Sequence, residues 1–220
     1  MSSVSVDDTA LPVAEPAVPE AWDTIEEEQE AASFGMWLFL ATEMLFFGGL
    51  FLCYTVYRFT HADGFLAGAR ATDVKLGTIN TVILLTSSLT MVMAVQGGRL
   101  GLRGLVWRCL AATAVLGAAF LAVKGYEWSQ DLSRHLFPKA HFAIAECGAS
   151  MFWALYWVMT GLHGIHLTIG VVIVTRLAWL MRGLTSLKIP DLITIGLYWH
   201  FVDTIWIFLY PLLYLSGRAP

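Results

Sequence analysis

Residues 198–215 read YWHFVDTIWIFLYPLLYL, and this run decides the fold class. Only His200 and Asp203 interrupt it with side chains that ionise near neutral pH. A run of about 20 apolar residues is long enough to cross the hydrocarbon core of a bilayer as an α-helix. The stretch therefore predicts a transmembrane helix that places an imidazole and a carboxyl group where charge is costly.

The rest of the chain repeats this apolar character. Of the 220 residues, 57% are hydrophobic and 14% are charged, with a mean hydropathy of +0.66. A soluble protein of this composition would lack the polar residues that cover a water-facing surface. Five apolar runs are long enough to span a membrane, at 34–57, 76–96, 105–123, 147–175 and 191–215. The predicted fold class is an all-α membrane protein, a five-transmembrane-helix bundle with an acidic N-terminal tail. No nucleic-acid partner is expected.

The N-terminal segment 1–33 differs from the rest in composition. It contains nine Asp and Glu residues and neither Lys nor Arg. We expect it to form a largely disordered cytoplasmic tail, with a short interfacial helix at 22–32, followed by a membrane domain at 34–215. Five spans place the chain termini on opposite sides of the membrane, so the C-terminus is expected outside. The basic residues divide almost equally between the two sides, so charge alone does not set the orientation.

Glu43 lies near the middle of the first predicted span. A carboxyl group at that depth is either protonated or partnered. Two interpretations follow, a neutral hydrogen-bonded group between helices or a group that handles protons or contacts lipid. Gly48 and Gly49, about one turn further on, predict a close approach by another helix.

His163 and His166 form the second polar feature, in the stretch GLHGIH at 161–166. They are three residues apart and therefore about 60° apart around a helix. A metal or haem interpretation needs further ligands, for which His200 is a candidate, but no thiol or second carboxylate clearly converges on them. Hydrogen bonding between helices is the other interpretation, and no metal site is predicted.

Three further positions complete the polar pattern. Asn80 lies in a span rich in Ser and Thr, which predicts hydrogen bonding between packed helices. Lys124 and Glu127 are spaced to pair near a membrane interface, and the Lys could instead extend alone to the surface. His200 and Asp203 share one helix face, so a pair between them would lower the cost of burying each. Pro211 predicts a kink or an end of regular helix. The predicted structural polar seam consists of Asn80, Glu127, His163, His166, His200 and Asp203.

Five short motifs carry a resemblance to a known family. WHFVDTIWIFLY at 199–210 closely resembles the signature on the last helix of subunit III of haem-copper oxidases. GLHGIH at 161–166, LATEMLFFGGLF at 40–51, LGTINTVILLTSSLT at 76–90 and GYEW at 125–128 resemble further elements of that family. The matches follow family order and cover about 34–215. The pattern is that of the five-helix bacterial type, with Lys124 standing where the family usually has Gln.

The resemblance implies a function that the spacing alone does not. Subunit III of this family has no redox centre of its own. It packs on subunit I, binds phospholipid in a cleft, and supports proton uptake and stability while the complex reduces oxygen and pumps protons. Haem and copper would then belong to partner subunits, and no residue of this chain would be catalytic. By this analogy Glu43 is a lipid- or proton-related residue, and the six residues of the seam are structural.

The same resemblance implies the partners and the location. Subunit I is expected in direct contact and subunit II nearby, with a larger respiratory supercomplex possible, all in a bacterial inner membrane. A quinol oxidase subunit III and a nitric-oxide-reductase accessory subunit remain alternatives. A b-type cytochrome that uses the three histidines and a small proton transporter are the more distant ones.

Overall fold

The computed structural model describes residues 25–138, 143–182 and 189–218. Residues 1–24, and with them most of the predicted acidic tail, lie outside the described residues. Within the described ranges the chain is helical, and five of its helices are long and apolar enough to cross a membrane. The prediction of a five-helix membrane bundle is therefore confirmed.

Four of the five spanning helices are longer than the apolar runs that predicted them, and the fifth ends at Tyr210, before its run does. The helix bounds are α1 Ile25–Thr60, α2 Ala62–Ala71, α3 Val74–Arg99, α4 Arg103–Ser133, α5 Ala149–Arg182 and α6 Ile189–Tyr210. A π-helical turn, Pro211–Leu215, follows α6 directly. Helix α1 thus begins inside the segment that the sequence assigned to the tail. The ends extend because charged residues can occupy the polar headgroup region while the backbone remains helical.

Helices α3 to α6 form the packed body of the molecule. Helix α3 packs against α4 and α6, and α5 packs against the other faces of α4 and α6. Asp73 starts α3, because its carboxylate accepts hydrogen bonds from the backbone N–H groups of Lys75 and Leu76. Gly101, with φ of +69°, makes the turn between α3 and α4 that returns the chain across the membrane.

The hydroxyl groups of α3 hold the buried tryptophans of α6. Trp199 Nε1 donates to Ser87 Oγ at 3.2 Å, and Trp206 Nε1 donates to Thr81 Oγ1 at 3.1 Å. The hydroxyl side chains of α3 therefore bond to a neighbouring helix, as the sequence predicted. In hydrocarbon this matters because an indole N–H has no water to bond.

Helix α1 lies outside this body and packs on α2, α5 and α6. Most of its large apolar side chains are exposed, among them Trp37, Leu45, Leu52 and Phe59. The close approach predicted at Gly48 and Gly49 is wrong within this chain, since a Cβ at either position would meet nothing within 4 Å. The outer face of α1 is consequently free for lipid or for another chain.

One end of the bundle is closed by elements that sequence analysis did not predict. The ten-residue helix α2 packs on α5 and buries Phe65 and Ala69. Tyr54 Oη donates to Leu212 O at 2.7 Å, so the end of α1 is tied to the π-helical turn that Pro211 begins. Pro211 cannot donate the backbone hydrogen bond of a regular helix, which explains the change of geometry predicted there. We call this end, which carries α2 and the C-terminus, the distal end.

Gly117 supplies a test of the packing. A Cβ on Gly117 would lie 2.7 Å from Val171 Cγ2 and 2.8 Å from Trp199 Cη2, where α4 meets α5 and α6. We expect Gly117→Leu to lower the free energy of unfolding by about 1–3 kcal/mol or more, because the neighbouring side chains are fully packed. Thermal unfolding in detergent measures this.

Gly125 provides the matched control on the same helix, since a Cβ there would meet nothing within 4 Å. Gly125→Leu is expected to leave the melting temperature close to wild type. Equal loss of stability in both variants would show that helix packing at Gly117 is not the cause.

Candidate functional site

The predicted polar residues do not form one seam. Glu43 lies on α1, and its neighbour in space is on α5. The other positions are distributed over four helices and fall into separate environments: Asn80 on α3, Glu127 on α4, His163 and His166 on α5, and His200 and Asp203 on α6. Two arrangements carry the chemistry, a carboxyl–imidazole pair at the edge and a charged network in the interior.

Glu43 meets His166 across the contact between α1 and α5. Glu43 Oε2 and His166 Nε2 are 3.2 Å apart, and both side chains are largely but not fully buried. The distance is that of an ion pair, although the angle is not that of a hydrogen bond. The sequence offered no partner for Glu43, because no pattern within α1 points to a residue more than a hundred positions away.

The hydrogen bonding of His166 decides which ring nitrogen faces the carboxyl group. His166 Nδ1 lies 2.8 Å from Leu162 O, and because a carbonyl only accepts, Nδ1 carries the hydrogen. In the neutral ring, Nε2 then carries no hydrogen, and it is the ring nitrogen nearer to Glu43. The pair can therefore hold one proton, either as carboxylic acid with neutral imidazole or as carboxylate with imidazolium.

Aromatic side chains limit the access of water to this pair. The Phe47 ring lies 5.6 Å from the His166 ring, and Tyr198 Oη donates to His166 O at 2.9 Å. Phe39 in turn contacts the Tyr198 ring at 6.2 Å between centroids. The pair thus lies among aromatic side chains at the contact between α1 and α5.

The interior network is built on one stripe of α4. Lys124, Glu127, Asp131 and Arg134 follow one another at intervals of three, four and three residues, which places them on one helix face. The first three side chains are buried, at 2%, 1% and 2% exposure, and Arg134 is exposed at the distal end. Over ten residues the stripe extends about 15 Å along the helix.

Lys124 lies at the centre of this network. Its Nζ donates to Glu127 Oε2 at 3.1 Å, to Tyr156 Oη at 3.0 Å and to Tyr214 Oη. The ammonium also lies 4.7 Å from the Tyr156 ring centroid and 5.5 Å from that of Trp206. The predicted pairing of Lys124 with Glu127 is confirmed, and its burial among aromatic rings, rather than at an interface, is what the sequence did not indicate.

The two phenols connect the carboxyl groups. Tyr214 Oη donates to Glu127 Oε1 at 2.6 Å, while Tyr156 Oη lies 2.8 Å from Glu127 Oε1 and 3.1 Å from Asp131 Oδ2. Tyr156 has one hydroxyl hydrogen, so the two contacts share it or Asp131 itself supplies a proton. The network thus joins α4, α5 and the π-helical turn through charge-assisted hydrogen bonds.

Sequence analysis missed Asp131, Tyr156 and Tyr214 as members of this network. The one available signal was the continuation of the stripe from Lys124 and Glu127 to Asp131. Nothing in the sequence pairs the tyrosines with it, because they come from α5 and from the turn after α6.

The interactions predicted for His163 and His200 are wrong. His163 was expected to bond between helices, but neither of its ring nitrogens has a hydrogen-bond partner, and its ring packs against Phe120 and Trp206. His200 was expected to pair with Asp203, but His200 Nδ1 lies 2.8 Å from Ser88 Oγ, and no hydrogen bond or ion pair joins His200 to Asp203. The helical spacing put each pair on one face, and the neighbouring helix then determined each partner.

Asn80 is fully buried on α3. Its amide oxygen and nitrogen also have no hydrogen-bond partner, so it does not act as the predicted link between helices.

Within the described ranges, no group of three His, Cys, Asp or Glu side chains converges as metal ligands would. The three histidines considered for haem or metal lie in different surroundings. His163 packs among aromatic rings, His166 faces Glu43, and His200 faces Ser88.

The network predicts a strong dependence of stability on Lys124. Lys124→Leu leaves Glu127 and Asp131 buried without their cation, and we expect a loss of about 3–5 kcal/mol in the free energy of unfolding. Thermal unfolding in detergent, compared with Arg108→Leu at an exposed position of the same helix, measures it.

A second substitution separates lost charge from lost packing. Lys124→Gln with Glu127→Gln removes one charge of each sign and should recover part of the stability that Lys124→Gln alone loses. If the double variant loses more free energy of unfolding than the two single variants lose together, the ion pair is not the source of the effect.

Comparison with known proteins places these features in a family. The model of the cytochrome c oxidase subunit III family matches residues 24–218, which include every side chain of both arrangements. The described helices α1 to α6 and the distal turn all fall within this match.

Individual relatives cover nearly the same length. The chain is 32% identical to the cytochrome c oxidase subunit 3 of Bacillus subtilis over 206 residues, 93% of this chain and 94% of that one. It is 35% identical to the quinol oxidase subunit 3 of Bacillus spizizenii over 187 residues, 83% and 86% of the two chains. It is also similar to a protein of Aeropyrum pernix named haem-copper oxidase subunit I+III. The two are 31% identical over 212 residues, which make up 91% of this chain and 24% of that one. This multi-pass membrane protein belongs to the cytochrome c oxidase subunit III family of haem-copper oxidases.

Proposed function

We propose that this chain is the non-catalytic third subunit of a respiratory terminal oxidase and that it supports proton uptake and stability in the partner that reduces oxygen. The observation that carries the proposal is the Glu43–His166 pair, with 3.2 Å between Oε2 and Nε2. The pair lies where α1 packs on α5, away from the buried network, and a carboxyl group beside an imidazole can hold a proton. A group of this kind can exchange a proton without any redox chemistry in the chain itself.

Membership of the family suggests what such a pair would serve, which is proton delivery to the redox centres of partner subunits. In a haem-copper oxidase, haem and copper in partner subunits carry out the electron transfer, and protons must reach them from the bulk. His166 Nε2 is the ring nitrogen nearer to Glu43. The Phe47 ring packs against the imidazole, and Tyr198 Oη donates to the backbone carbonyl of His166. The pair would thus stabilise a proton close to the surface of a neighbouring subunit.

Subunit I is the proposed direct partner. Support comes from the relative of Aeropyrum pernix, whose name joins subunits I and III in one chain. The exposed apolar face of α1, with Trp37, Leu45 and Phe59, offers a surface that a second membrane subunit could cover. Subunit II and membership of a respiratory supercomplex are further parts of the proposal.

Phospholipid is the proposed bound cofactor of this chain. A cavity of about 460 Å³ opens on the membrane-facing side between α4 and α5, and its lining includes Gly161, Gly164, Ile165 and Ile169. The two glycines leave the floor without side chains, so an acyl chain can lie against the helices there. We further propose a bacterial inner membrane, with the N-terminus cytoplasmic and the C-terminus outside.

The partner subunits, and not this chain, would determine the electron donor. Relatives named cytochrome c oxidase subunit 3 and quinol oxidase subunit 3 match at 32% and 35% identity, so a quinol oxidase is the second candidate. The donor binds elsewhere in such complexes, and the residues of this chain do not have to differ between the two.

Copurification tests the assignment. When the tagged full-length chain is solubilised in mild detergent, a haem-copper subunit I is expected to accompany it at an equal amount. Mass spectrometry identifies the partner, and the absorption spectrum assigns haem to it. The separated chain is expected to show no Soret band, and stoichiometric haem on the separated chain would contradict the proposal.

Glu43→Gln tests the role of the pair. The amide keeps the shape of the side chain but cannot exchange a proton, so assembly and most of the initial oxygen-reduction rate should be retained. Proton uptake should slow, or activity should decline faster during sustained turnover, measured with an oxygen electrode and a pH indicator. Complete loss of oxygen reduction in a fully assembled complex would place Glu43 in the chemistry itself.

Chemical labelling checks that Glu43 occupies the expected environment. A hydrophobic carbodiimide should modify Glu43 in preference to Glu146, which is exposed in the connection before α5. A water-soluble carbodiimide should show the opposite preference. Peptide mapping by mass spectrometry distinguishes the two outcomes, with Glu43→Gln as the unreactive control.

A further inference from the structure

A second cavity, with a polar lining, lies at the distal end, and neither Glu43 nor His166 is part of that lining. It has a volume of about 320 Å³ and is lined by four basic residues, Arg70, Lys75, Arg134 and Arg218, together with Asp73. These residues come from the end of α2, the start of α3, the end of α4 and the C-terminal segment. Four separate parts of the chain therefore bring positive charge to one place.

Backbone hydrogen bonds hold two of the basic residues in position. Arg218 Nη2 donates to Thr72 O at 2.8 Å and to Arg70 O at 3.2 Å, and Arg70 Nε donates to Gly217 O at 3.2 Å. These bonds fold the C-terminal segment onto the connection between α2 and α3. They use only part of the hydrogen-bonding capacity of the two guanidinium groups, which leaves N–H groups for a further acceptor.

The charges of the cavity are not balanced from within. Among residues 25–138, 143–182 and 189–218, no carboxylate forms an ion pair with Arg70, Lys75, Arg134 or Arg218. Asp73 is the one acidic residue of the lining, and its Oδ1 already accepts two backbone N–H groups. A cavity with four cations and one carboxylate attracts an anion, because like charges held together repel.

The depth of the cavity identifies the kind of anion. Its residues lie at the ends of three candidate spans, which begin at Val74 and end at Ser133 and Leu215. This is the level at which the headgroups of a bilayer lie. Below the cavity, Ile79 and Val82 are exposed and follow Lys75 on the same face of α3, so an apolar chain could continue from the basic cluster along the helix.

The acidic residues at the start of α1 lie far from this cavity. Helix α1 has 36 residues and is therefore about 54 Å long. Its C-terminal part reaches the distal end through Tyr54, so Ile25, where α1 begins, lies at the opposite end of the helix.

We propose that the distal cavity binds the phosphate group of an anionic phospholipid, with its acyl chains against Ile79 and Val82. Arg70 and Arg218 supply fixed hydrogen-bond donors, and Lys75 and Arg134 supply charge from two other helices. A negatively charged headgroup is preferred to a zwitterionic one, because the cavity carries excess positive charge. This site is separate from the groove between α4 and α5, and it does not depend on the assignment as an oxidase subunit.

Lys75 is the position to test, because among the described residues its ammonium group forms no hydrogen bond or ion pair that holds the fold. The tagged full-length chain, with the subunits that accompany it, is titrated with phosphatidylglycerol or phosphatidylcholine, and native mass spectrometry counts the bound lipid. We expect Lys75→Gln to weaken phosphatidylglycerol binding about five-fold, the effect of one charge near a membrane surface. Lys75→Gln combined with Arg134→Gln should weaken it further, and Lys75→Arg should match wild type.

Arg99→Gln is the matched control, since Arg99 is exposed at the opposite end of the same helix. It should bind phosphatidylglycerol as wild type does, and size-exclusion profiles should be alike for all variants. Equal affinity for the two lipids, or unchanged phosphatidylglycerol binding in the double variant, would overturn the proposal. Displacement of the lipid by an equal concentration of inorganic phosphate would also overturn it, because the site would then recognise a free anion.

Discussion

The interior of this protein is arranged around one buried cation, Lys124. An ammonium group at 2% exposure in a membrane-spanning helix is stable only where acceptors and opposite charge surround it. Glu127 comes from the same helix, Tyr156 from α5 and Tyr214 from the turn after α6. The cation therefore ties three parts of the chain together, and the aromatic rings around it exclude the water that would otherwise solvate it.

The same network explains the shape of the distal end. Tyr214 can reach Lys124 because α6 gives way to a π-helical turn at Pro211, which also brings Leu212 to the hydroxyl of Tyr54. Beyond the network the charged stripe of α4 ends at Arg134, in the basic cavity. A buried ion network and an exposed basic cluster are thus two ends of one helix face. The charges of the first are paired within the protein, and the second is open to an anion.

Helix α1 follows a different physical rule. It contributes Glu43 to the pair with His166 but buries few of its apolar side chains against the rest of the chain. In a membrane an exposed apolar helix face has no cost against lipid, so a loosely packed α1 is stable there. The outer face of α1, the helix that carries Glu43, is therefore open to lipid or to a partner subunit.

The sequence by itself determined the number of spans, the helical class and, through five motifs in order, the family, because hydrophobic length and local motifs are properties of contiguous residues. The pairing of Lys124 with Glu127 and the change of helix at Pro211 were predictable for the same reason. Only the tertiary structure decided that Glu43 meets His166, that Tyr156 and Tyr214 complete the ion network, and that His200 bonds Ser88 instead of Asp203. Helical spacing places residues on a face, but the partner of a buried polar group is chosen by whichever neighbouring helix packs there, and that choice depends on contacts between residues far apart in the chain.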